Sequence, residues 1–292
     1  MRRAIQLKVV IPAAGVGTRL LSATKEQPKE MLPVFARSAN GELCVKPLLQ
    51  LVFEQLFDFG LREYCFVVGR SKRSIEDHFT PDHGFISDLN SKRKNQQSVD
   101  LERFYQKVDQ SKVLWVNQPS PKGLGDAVMQ SAPFAGSGDF LVHAGDTYIV
   151  SPNNDHFTRL VRCHEEEEAD VTLLLQEVED TKPYGIASVN ESGKDRYFVT
   201  FVEEKPDSPK SNLALMPIYL FKDRIFEALE KTEAGVGGEI QLTDAIQKMI
   251  DWGLKVMAVA LKPEDVRLDI GTPKTYWEAL QSSHSSLAGA KV

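Results

Sequence analysis

The feature that most constrains the fold is a short apolar run that leads into a turn of small residues. Residues 8–12 read KVVIP, and the turn AAGVGTRL follows at once. Small side chains allow the backbone N–H groups of such a turn to approach a ligand closely. In an open α/β sheet, ligands bind beside the carboxyl ends of the strands. The segment therefore predicts a strand that ends in a loop suited to a triphosphate.

The glycine spacing of this turn disfavours two other nucleotide-binding motifs. Leu20 takes the place of the third glycine in a G-x-G-x-x-G fingerprint, and no acidic residue stands about 20 positions further on. A Rossmann-type dehydrogenase is therefore the weaker interpretation. The chain also contains no GxxxxGK[ST] segment, so a P-loop is not expected. The predicted backbone contacts to phosphate come from Ala13, Ala14, Gly15 and Gly17.

Two cations near the turn can neutralise phosphate charge. Arg19 carries a planar guanidinium that can bind two phosphate oxygens, and Lys29 supplies a mobile point charge. A glycine turn with two surface cations and no function would give the same local pattern. The motifs further along the chain distinguish these two interpretations.

Apolar runs alternate with amphipathic segments along the chain, and the runs are of the kind that forms strands buried on both faces. These runs span residues 8–12, 64–69, 112–117, 140–146 and 170–176. Helical spacing follows the first run in PLLQLVFEQLFDFG, which ends at Gly60. Further helices are expected at residues 124–131, 155–168, 242–252 and 274–283. The pattern predicts an α/β fold with a parallel sheet covered by helices.

The length and composition allow one large domain or two small ones. The 292 residues are 42% hydrophobic and 26% charged, the ordinary balance of a globular protein with a sizeable core. Residues 80–110 are polar between two amphipathic pieces, which predicts a helical insertion. A solvated insertion is the plainest interpretation, with a cap over the active site or a subunit contact as alternatives. We expect one domain over residues 1–280 and a frayed tail over 281–292.

Charge and cysteine content exclude several classes of function. The formal charge is −6 and no long basic cluster occurs, so nucleic-acid binding is not expected. Cys44, Cys65 and Cys163 are far apart in sequence, which argues against a disulfide scaffold or a zinc ribbon. The apolar run near the start is too short for a secretory leader, and no run reaches transmembrane length. We expect a cytoplasmic homo-oligomer that contacts no membrane.

Several motifs occur in a fixed order after the turn. PKEMLP at Pro28 to Pro33 completes a pattern, A-G-x-G-T-R-x followed by P-K-x-x-L-P, that resembles the signature of sugar-1-phosphate nucleotidylyltransferases. The form TKxxPKEMLP is most similar to the bacterial-type UTP:glucose-1-phosphate uridylyltransferases of that family. The resemblance extends from Lys8 to about Leu280. The further matches are NQPSPKGLGDA, LVHAGDTYI, PYGIASV, VEEKP, SNLALMPIYLF, GGEIQLTDAI and LDIGT.

The resemblance implies a fold and a reaction. The fold is a Rossmann-like three-layer α/β/α sandwich with a mostly parallel mixed sheet. In the reaction, a phosphate oxygen of a sugar 1-phosphate attacks the α-phosphorus of a nucleoside triphosphate, with Mg²⁺ as cofactor, and pyrophosphate leaves. UTP with glucose 1-phosphate is the expected pair. A thymidylyltransferase that uses dTTP, and an enzyme of broad specificity, remain alternatives.

The resemblance also implies roles for individual residues. Gln118 and Gly123 match the segment that reads the base, and a glutamine amide suits the edge of uracil or thymine. Asp146 and Asp269 match metal-binding aspartates, in keeping with the oxygen ligands that Mg²⁺ prefers. Arg19, Lys29 and Lys205 are the expected catalytic cations. A polar turn, and turn or capping aspartates, are the alternatives without a function.

The expected sugar pocket has one departure from the family pattern. Its matching residues are Tyr184, Gly185, Glu204, Lys205 and Glu239. Adjacent Glu and Lys residues in a strand face opposite sides, so a bulge or a strand end is required for both to contact the sugar.

The departure lies at Met216 and Pro217, where the family typically has glycine. Proline has no N–H, so a backbone contact to the sugar would change there and the identity of the hexose stays open. A non-catalytic nucleotide-sugar sensor is a further alternative. The presence of Arg19, Lys29, Asp146 and Lys205 together argues against it.

Overall fold

Four of the five apolar runs form inner strands of a nine-stranded sheet within the part of the chain that the structure describes. The fifth run, residues 112–117, forms an edge strand that is partly exposed and is not buried on both faces as predicted. A computed structural model describes residues 7–92 and 95–288. Two further pairs, β2 with β3 and β7 with β13, lie outside the large sheet. In chain order the strands are β1 (Lys8–Pro12), β2 (Pro33–Arg37), β3 (Leu43–Pro47), β4 (Glu63–Val68), β5 (Lys112–Asn117), β6 (Phe140–His143), β7 (Thr147–Val150), β8 (Val171–Glu177), β9 (Gly185–Glu191), β10 (Tyr197–Glu204), β11 (Leu213–Phe221), β12 (Val256–Ala260) and β13 (Val266–Asp269).

Helices connect most of these strands, as the amphipathic segments predict. Among the described residues, no helix is both long and apolar enough to cross a membrane. In chain order the helices are α1 (Leu21–Thr24), α2 (Leu48–Phe59), α3 (Arg73–His78), α4 (His83–Ser91), α5 (Asn95–Asp109), α6 (Leu124–Gln130), α7 (Ala132–Ala135), α8 (Asp155–Glu166), α9 (Arg224–Glu230), α10 (Leu242–Asp251) and α11 (Pro273–Ala288).

The large sheet has the strand order β5-β4-β1-β6-β11-β8-β12-β10-β9. Parallel pairs join β5, β4, β1 and β6, and also β8 with β12. In contrast, β11 runs antiparallel to β6 and β8, and β10 runs antiparallel to β12 and β9. The sheet is therefore mixed, but less parallel than the sequence suggests. An apolar run shows that a strand is buried and does not show its direction.

Alternate side chains of the strands pack against helices on the two faces of the sheet, which gives the expected three layers. Val9 and Ile11 of β1 belong to one apolar cluster and Val10 belongs to the other. Because successive side chains of a strand point to opposite faces, the two clusters lie on opposite sides. The first cluster includes residues of α2, α3, α4, α5 and α8, and the second includes residues of α6, α9 and α10.

A bulge allows a proline in the middle of the buried strand β11. The register between β11 and β8 shifts between Met216 and Tyr219, and Pro217 lies inside this irregularity. Proline removes a ladder hydrogen bond and is tolerated within a sheet mainly at a bulge. The Pro217 carbonyl still accepts from the N–H of Ala144 at 2.9 Å. The bulge thus places Pro217 at the end of β6, where it lines the main cavity.

Helices α4 and α5 occupy the region in which the sequence predicts a helical insertion, and α3 directly precedes it. They pack on α2 through aromatic rings, with Phe53 at the centre. Its ring centroid lies 4.9 Å from that of Tyr64, 5.2 Å from Phe79 and 6.0 Å from Phe104. The interior of this segment is thus continuous with the core on that face of the sheet. Residues 93 and 94 of the predicted insertion lie outside the described residues.

The last described helix differs from the frayed tail that the sequence suggests. Helix α11 continues to Ala288, while the rest of the tail and residues 1–6 of the predicted domain lie outside the described residues. Tertiary contacts explain the difference. The backbone N–H of Phe35 donates to the buried hydroxyl of Ser283, and Arg37 donates to the carbonyl oxygen of Leu287. Low sequence complexity does not reveal such contacts with β2.

Replacement of Phe53 by alanine tests the aromatic packing between α2 and the helical segment. Phe53 is fully buried, so we expect Phe53→Ala to lower the free energy of unfolding by about 3–5 kcal/mol. Phe85→Ala is the matched control, because Phe85 is 51% exposed and its loss should cost no more than about 0.5 kcal/mol. Urea denaturation measures both values. Equal losses for the two variants would contradict this account of the core.

Candidate active site

A large cavity lies at the carboxyl ends of β1, β5 and β6. Its volume is about 740 Å³, which suits a ligand of nucleotide size. The residues that follow these three parallel strands form one wall, as the crevice rule for open α/β sheets predicts. The predicted site residues that line it are Ala14, Gly15, Gly17, Arg19, Lys29, Gln118, Gly123, Asp146, Tyr184, Gly185, Glu204, Lys205, Glu239 and Asp269.

One predicted contact, Ala13, does not reach the cavity. Its side chain is buried, and its N–H donates to the carbonyl oxygen of Val67 at 2.8 Å. The glycine turn begins one residue later, and Gly17 has a φ of 67° that favours glycine. The hydroxyl of Thr24 donates to the Gly17 carbonyl oxygen at 2.9 Å, which closes the turn. Successive side chains at the end of a strand point to opposite sides, so the sequence could have indicated that only one of Ala13 and Ala14 faces the cavity.

Lys29 and Asp146 form a direct ion pair in the middle of the cavity wall. The Lys29 Nζ lies 2.5 Å from Oδ2 of Asp146, and the two side chains are only 15% and 23% exposed. Burial alone would lower the pKa of Lys29, but attraction to Asp146 and Glu30 outweighs it, so the pKa lies above its usual value. Burial would raise the pKa of Asp146, but the attraction and hydrogen bond of Lys29 outweigh burial, so this pKa lies below its usual value. Both groups are therefore charged at neutral pH.

A second ion pair lies behind the first and is almost fully buried. Glu30 accepts from Lys72 at 2.8 Å, and the two side chains are 2% and 7% exposed. Burial raises the pKa of Glu30 even though Lys72 and Lys29 lower it. Removal of one partner from such a pair leaves an unpaired buried charge, which typically costs about 3–5 kcal/mol. The pair holds the short turn that carries Lys29 against the loop after β4.

Asp269 lies beside Asp146 although the two residues are distant in sequence. It is the last residue of β13, where it pairs with Thr147, and the N–H of Ile270 donates to the Asp146 carbonyl oxygen at 3.3 Å. Burial, and then repulsion by Asp146, raise the pKa of Asp269. Two carboxylates that repel each other at a cavity wall gain from a shared cation. No cluster of three or more such metal-binding side chains occurs within the described residues.

Glu204 and Lys205 both face the cavity because the strand ends between them. Strand β10 ends at Glu204, and Lys205 has a φ of 45°, a left-handed conformation that is uncommon for residues other than glycine. The expectation of a strand end at this position is confirmed. The N–H of Lys205 donates to the Tyr184 carbonyl oxygen at 3.0 Å, which ties the two sugar-binding motifs together.

Thr243 fixes Glu204 from the opposite side of the cavity. Its hydroxyl donates to Oε2 of Glu204 at 2.7 Å. The sequence suggests Thr243 or Asp244 as a helix cap, but the N-terminal cap of α10 is Gln241 and it makes no side-chain capping bond. Glu239 lies on the same rim, where Gln241 donates to it at 3.4 Å.

Arg267 lines the cavity and is absent from the sequence-based set. Its guanidinium donates to the Tyr184 hydroxyl at 2.5 Å and contacts Sδ of Met216 at 3.2 Å. It forms no ion pair with any described residue. Arg267 precedes Asp269 by two positions in β13, so the period of a strand places both on one face. That spacing was the available signal.

Two histidines, His143 and His156, are fully buried near the cavity wall and in the adjacent helix α8. Burial lowers the pKa of His143 to about 4 and, with repulsion by His143, lowers the pKa of His156 to about 3. Neither ring nitrogen of His156 has a hydrogen-bond partner, and its ring centroid lies 4.0 Å from that of Phe157. These rings are neutral parts of the core.

Comparisons with known proteins identify the family of this chain. A family model described as Nucleotidyl transferase matches residues 8–286. The chain belongs to the nucleotidyl transferase family. The UTP–glucose-1-phosphate uridylyltransferase of Pseudomonas aeruginosa is 34% identical over 285 residues, 96% of both chains. A UTP–glucose-1-phosphate uridylyltransferase 2 of Streptococcus pyogenes is 39% identical over 249 residues, which are 83% of this chain and 79% of that protein.

Solved structures of the same family share the fold over nearly the whole chain. A UDP-glucose pyrophosphorylase complexed with UDP-glucose has a TM-score of 0.81 at 28% identity, covering 96% of this chain and 99% of that one. A UTP-bound UGPase from Acinetobacter baumannii has a TM-score of 0.82 at 28% identity, covering 98% and 95% of the two chains. The predicted Rossmann-like α/β/α fold is confirmed.

Acid should weaken the fold through the buried histidines. Their pKa values in the folded state lie below the usual 6.5, so the unfolded chain binds more protons between pH 6.5 and about 4. The free energy of unfolding should therefore fall as the pH is lowered through this range, by up to about 1.4 kcal/mol per pH unit for each histidine. His156→Leu should reduce this slope by up to about 1.4 kcal/mol per pH unit, which corresponds to one proton. Replacement of the exposed His83 should leave the slope unchanged. Urea denaturation at several pH values measures the slope, and an unchanged slope in His156→Leu would refute the assignment.

Proposed function

We propose that this protein transfers a uridylyl group from UTP to glucose 1-phosphate, giving UDP-glucose and pyrophosphate. The observation that carries the proposal is the shared cavity, which brings three cations together with two carboxylates and a polar amide. The cations are Arg19, Lys29 and Lys205, and all three line the cavity. The names of the relatives support the choice of UTP and glucose 1-phosphate. An enzyme that uses dTTP or several sugars remains the alternative.

The chemistry requires no nucleophile from the protein. An oxygen of the sugar phosphate attacks the α-phosphorus, the bond from this phosphorus to the bridging oxygen breaks, and pyrophosphate leaves. Such a reaction depends on alignment and on neutralisation of charge. The neutral, buried rings of His143 and His156 agree with this mechanism.

The triphosphate would lie over the glycine turn, with its charge neutralised by Arg19 and Lys29. Arg19 is exposed and makes no hydrogen bond or ion pair with the described residues, so its guanidinium is available for phosphate. Lys29 is held by Asp146 until a phosphate offers a second anionic partner. Movement of the Lys29 ammonium towards phosphate would leave the Asp146 carboxylate available for a cation.

Asp146 and Asp269 would hold the divalent cation, for which we propose Mg²⁺. Two hard oxygen donors fit this ion, because Mg²⁺ commonly takes one or two carboxylates and completes its shell with phosphates and water. The raised pKa of Asp269 beside Asp146 supports the fit, since a cation would relieve this repulsion. When bound, the ion would neutralise developing phosphate charge.

The sugar 1-phosphate would lie between Lys205, Glu204 and the Tyr184 turn. Lys205 would contact the phosphate, while Glu204, held by Thr243, would accept from sugar hydroxyls. Arg267 adds a cation beside Tyr184 and Met216, on the side where the chain departs from its family pattern. Its planar donors suit sugar oxygens.

A non-catalytic nucleotide-sugar sensor explains these features less well. A sensor has no need for a carboxylate pair and cations arranged on both sides of the phosphate to be transferred. Absorbance titration with NADH would test the weaker dehydrogenase alternative. The single domain over residues 1–280, the homo-oligomeric state and the cytoplasmic location stay predictions.

A pyrophosphate-release assay over a matrix of nucleotides and sugar 1-phosphates tests the proposal. We expect turnover with UTP, and with dTTP to a lesser degree, in the presence of glucose 1-phosphate. ATP should react poorly, since a pocket with paired hydrogen-bond requirements rejects bases that leave polar groups unpaired. Reactions without a sugar 1-phosphate are the control. Equal turnover with ATP, or no pyrophosphate with any sugar phosphate, would refute the assignment.

Replacement of Asp146 by asparagine tests its role at the metal. Asp146→Asn keeps the shape and removes one charge, so turnover should fall by at least about a hundredfold in a protein that circular dichroism shows to be folded. Its melting temperature should also fall, because the buried ammonium of Lys29 loses its charged partner. Addition of excess EDTA to the wild type should abolish turnover. Asp195→Asn, at an exposed turn, is the matched control. Undiminished turnover in EDTA, or in Asp146→Asn, would show that Asp146 is only a structural aspartate.

A further inference from the structure

The amide of Gln118 is held in one orientation by an acidic neighbour. Its Nε2 donates to Oδ2 of Asp126 at 2.6 Å and to the Gly123 carbonyl oxygen at 3.2 Å. Neither a carboxylate nor a carbonyl oxygen can donate a hydrogen bond. Rotation of the amide by 180° would place Oε1 against both acceptors, with the loss of both bonds. The Gln118 side chain is 4% exposed, so water would not replace those bonds easily.

This orientation leaves one acceptor and one donor for a ligand. Both Nε2 hydrogens are used, whereas Oε1 of Gln118 accepts no hydrogen bond from any described residue. The N–H of Gly123 likewise donates to no acceptor in the described part of the chain. Both residues line the cavity. A Cβ atom at Gly123 would lie 2.7 Å from the Ile240 carbonyl oxygen, so only glycine fits at this position.

We infer that Asp126 is a positioning residue that sets the choice of nucleobase, an inference that rests on the proposed function. The free acceptor of Gln118 and the free donor of Gly123 match the N3–H and a neighbouring carbonyl oxygen of uracil or thymine. Cytosine presents an acceptor at N3 and a donor at N4, the reverse pattern. Adenine presents the same reversed order at N1 and N6. Asp126 thus selects against cytosine and adenine without contact to the base.

Several contacts hold Asp126 in place. It lies in the first turn of α6, where the positive end of the helix dipole favours a carboxylate. The preceding N–H of Gly125 donates to the Ile240 carbonyl oxygen at 2.9 Å, which anchors the start of the helix. The second oxygen of Asp126 accepts from Gln130 at 3.4 Å. One carboxylate therefore joins Gln118 on the cavity side to Gln130 on the other.

The variant Asp126→Asn tests the inference at constant shape. An asparagine can present either its oxygen or its NH₂ group to Gln118, so both orientations of the Gln118 amide become possible. We expect the ratio of kcat/KM for UTP to that for CTP to fall roughly ten- to a hundredfold, with CTP use rising in absolute terms. Calorimetric titration with UTP and CTP, without sugar phosphate, should show the same change in the ratio of Kd values.

Gln130→Ala is the matched control, because it removes the other hydrogen bond to Asp126 and lies outside the cavity lining. It should keep the wild-type ratio of UTP to CTP. Thermal melting establishes that each variant is folded. An Asp126→Asn protein that melts like the wild type and keeps the wild-type ratio would overturn the inference.

The binding data separate this outcome from failure of the proposed function. If the wild type binds UTP better than CTP but releases no pyrophosphate with any sugar 1-phosphate, the proposed function is wrong, and the effect of Asp126→Asn on the two Kd values still decides the inference. If turnover occurs with UTP and the two ratios do not change in Asp126→Asn, only the inference is wrong.

Discussion

The ion pair between Lys29 and Asp146 is the interaction on which the site depends. It joins the short turn before β2, which carries Lys29, to the loop after β6, with a distance of 2.5 Å between Nζ and Oδ2. The buried pair of Glu30 and Lys72 supports the same turn from behind. Opposite charges at this depth stabilise each other strongly because little water screens them. The free protein therefore keeps side by side the ammonium that we propose for phosphate binding and the carboxylate that we propose for the metal.

The charges of the cavity explain why the fold can carry this chemistry without a nucleophile of its own. The parallel strands β1 and β6 end at the same edge and bring the glycine turn next to Asp146. The antiparallel pair of β13 with β7 adds Asp269 and Arg267 from the other side. Lys29 is paired with Asp146, whereas Arg19 has no ion-pair partner among the described residues and a substrate phosphate would supply one. Transfer then requires only that two phosphates meet in line.

The sequence predicts the local parts of this structure better than the long-range ones. The five apolar runs are confirmed as strands, and fourteen of the fifteen predicted site residues line one cavity, with Ala13 as the exception. Strand direction in the second half of the sheet was not predictable, because burial leaves the same apolar pattern in either direction. The contacts of Arg267 with Tyr184 and of Lys72 with Glu30 join residues 83 and 42 positions apart, so no spacing rule reveals them.

The central claim is a single direct displacement at the α-phosphorus, aligned by the protein and without a covalent intermediate. The most direct test uses one diastereomer of UTP that carries sulfur on the α-phosphate, with glucose 1-phosphate as acceptor. The configuration at phosphorus in the nucleotide-sugar product is then determined by ³¹P nuclear magnetic resonance. Our account predicts inversion, because one in-line attack inverts the centre. Retention would show two displacements, and therefore a nucleophile on the protein, which would contradict the account.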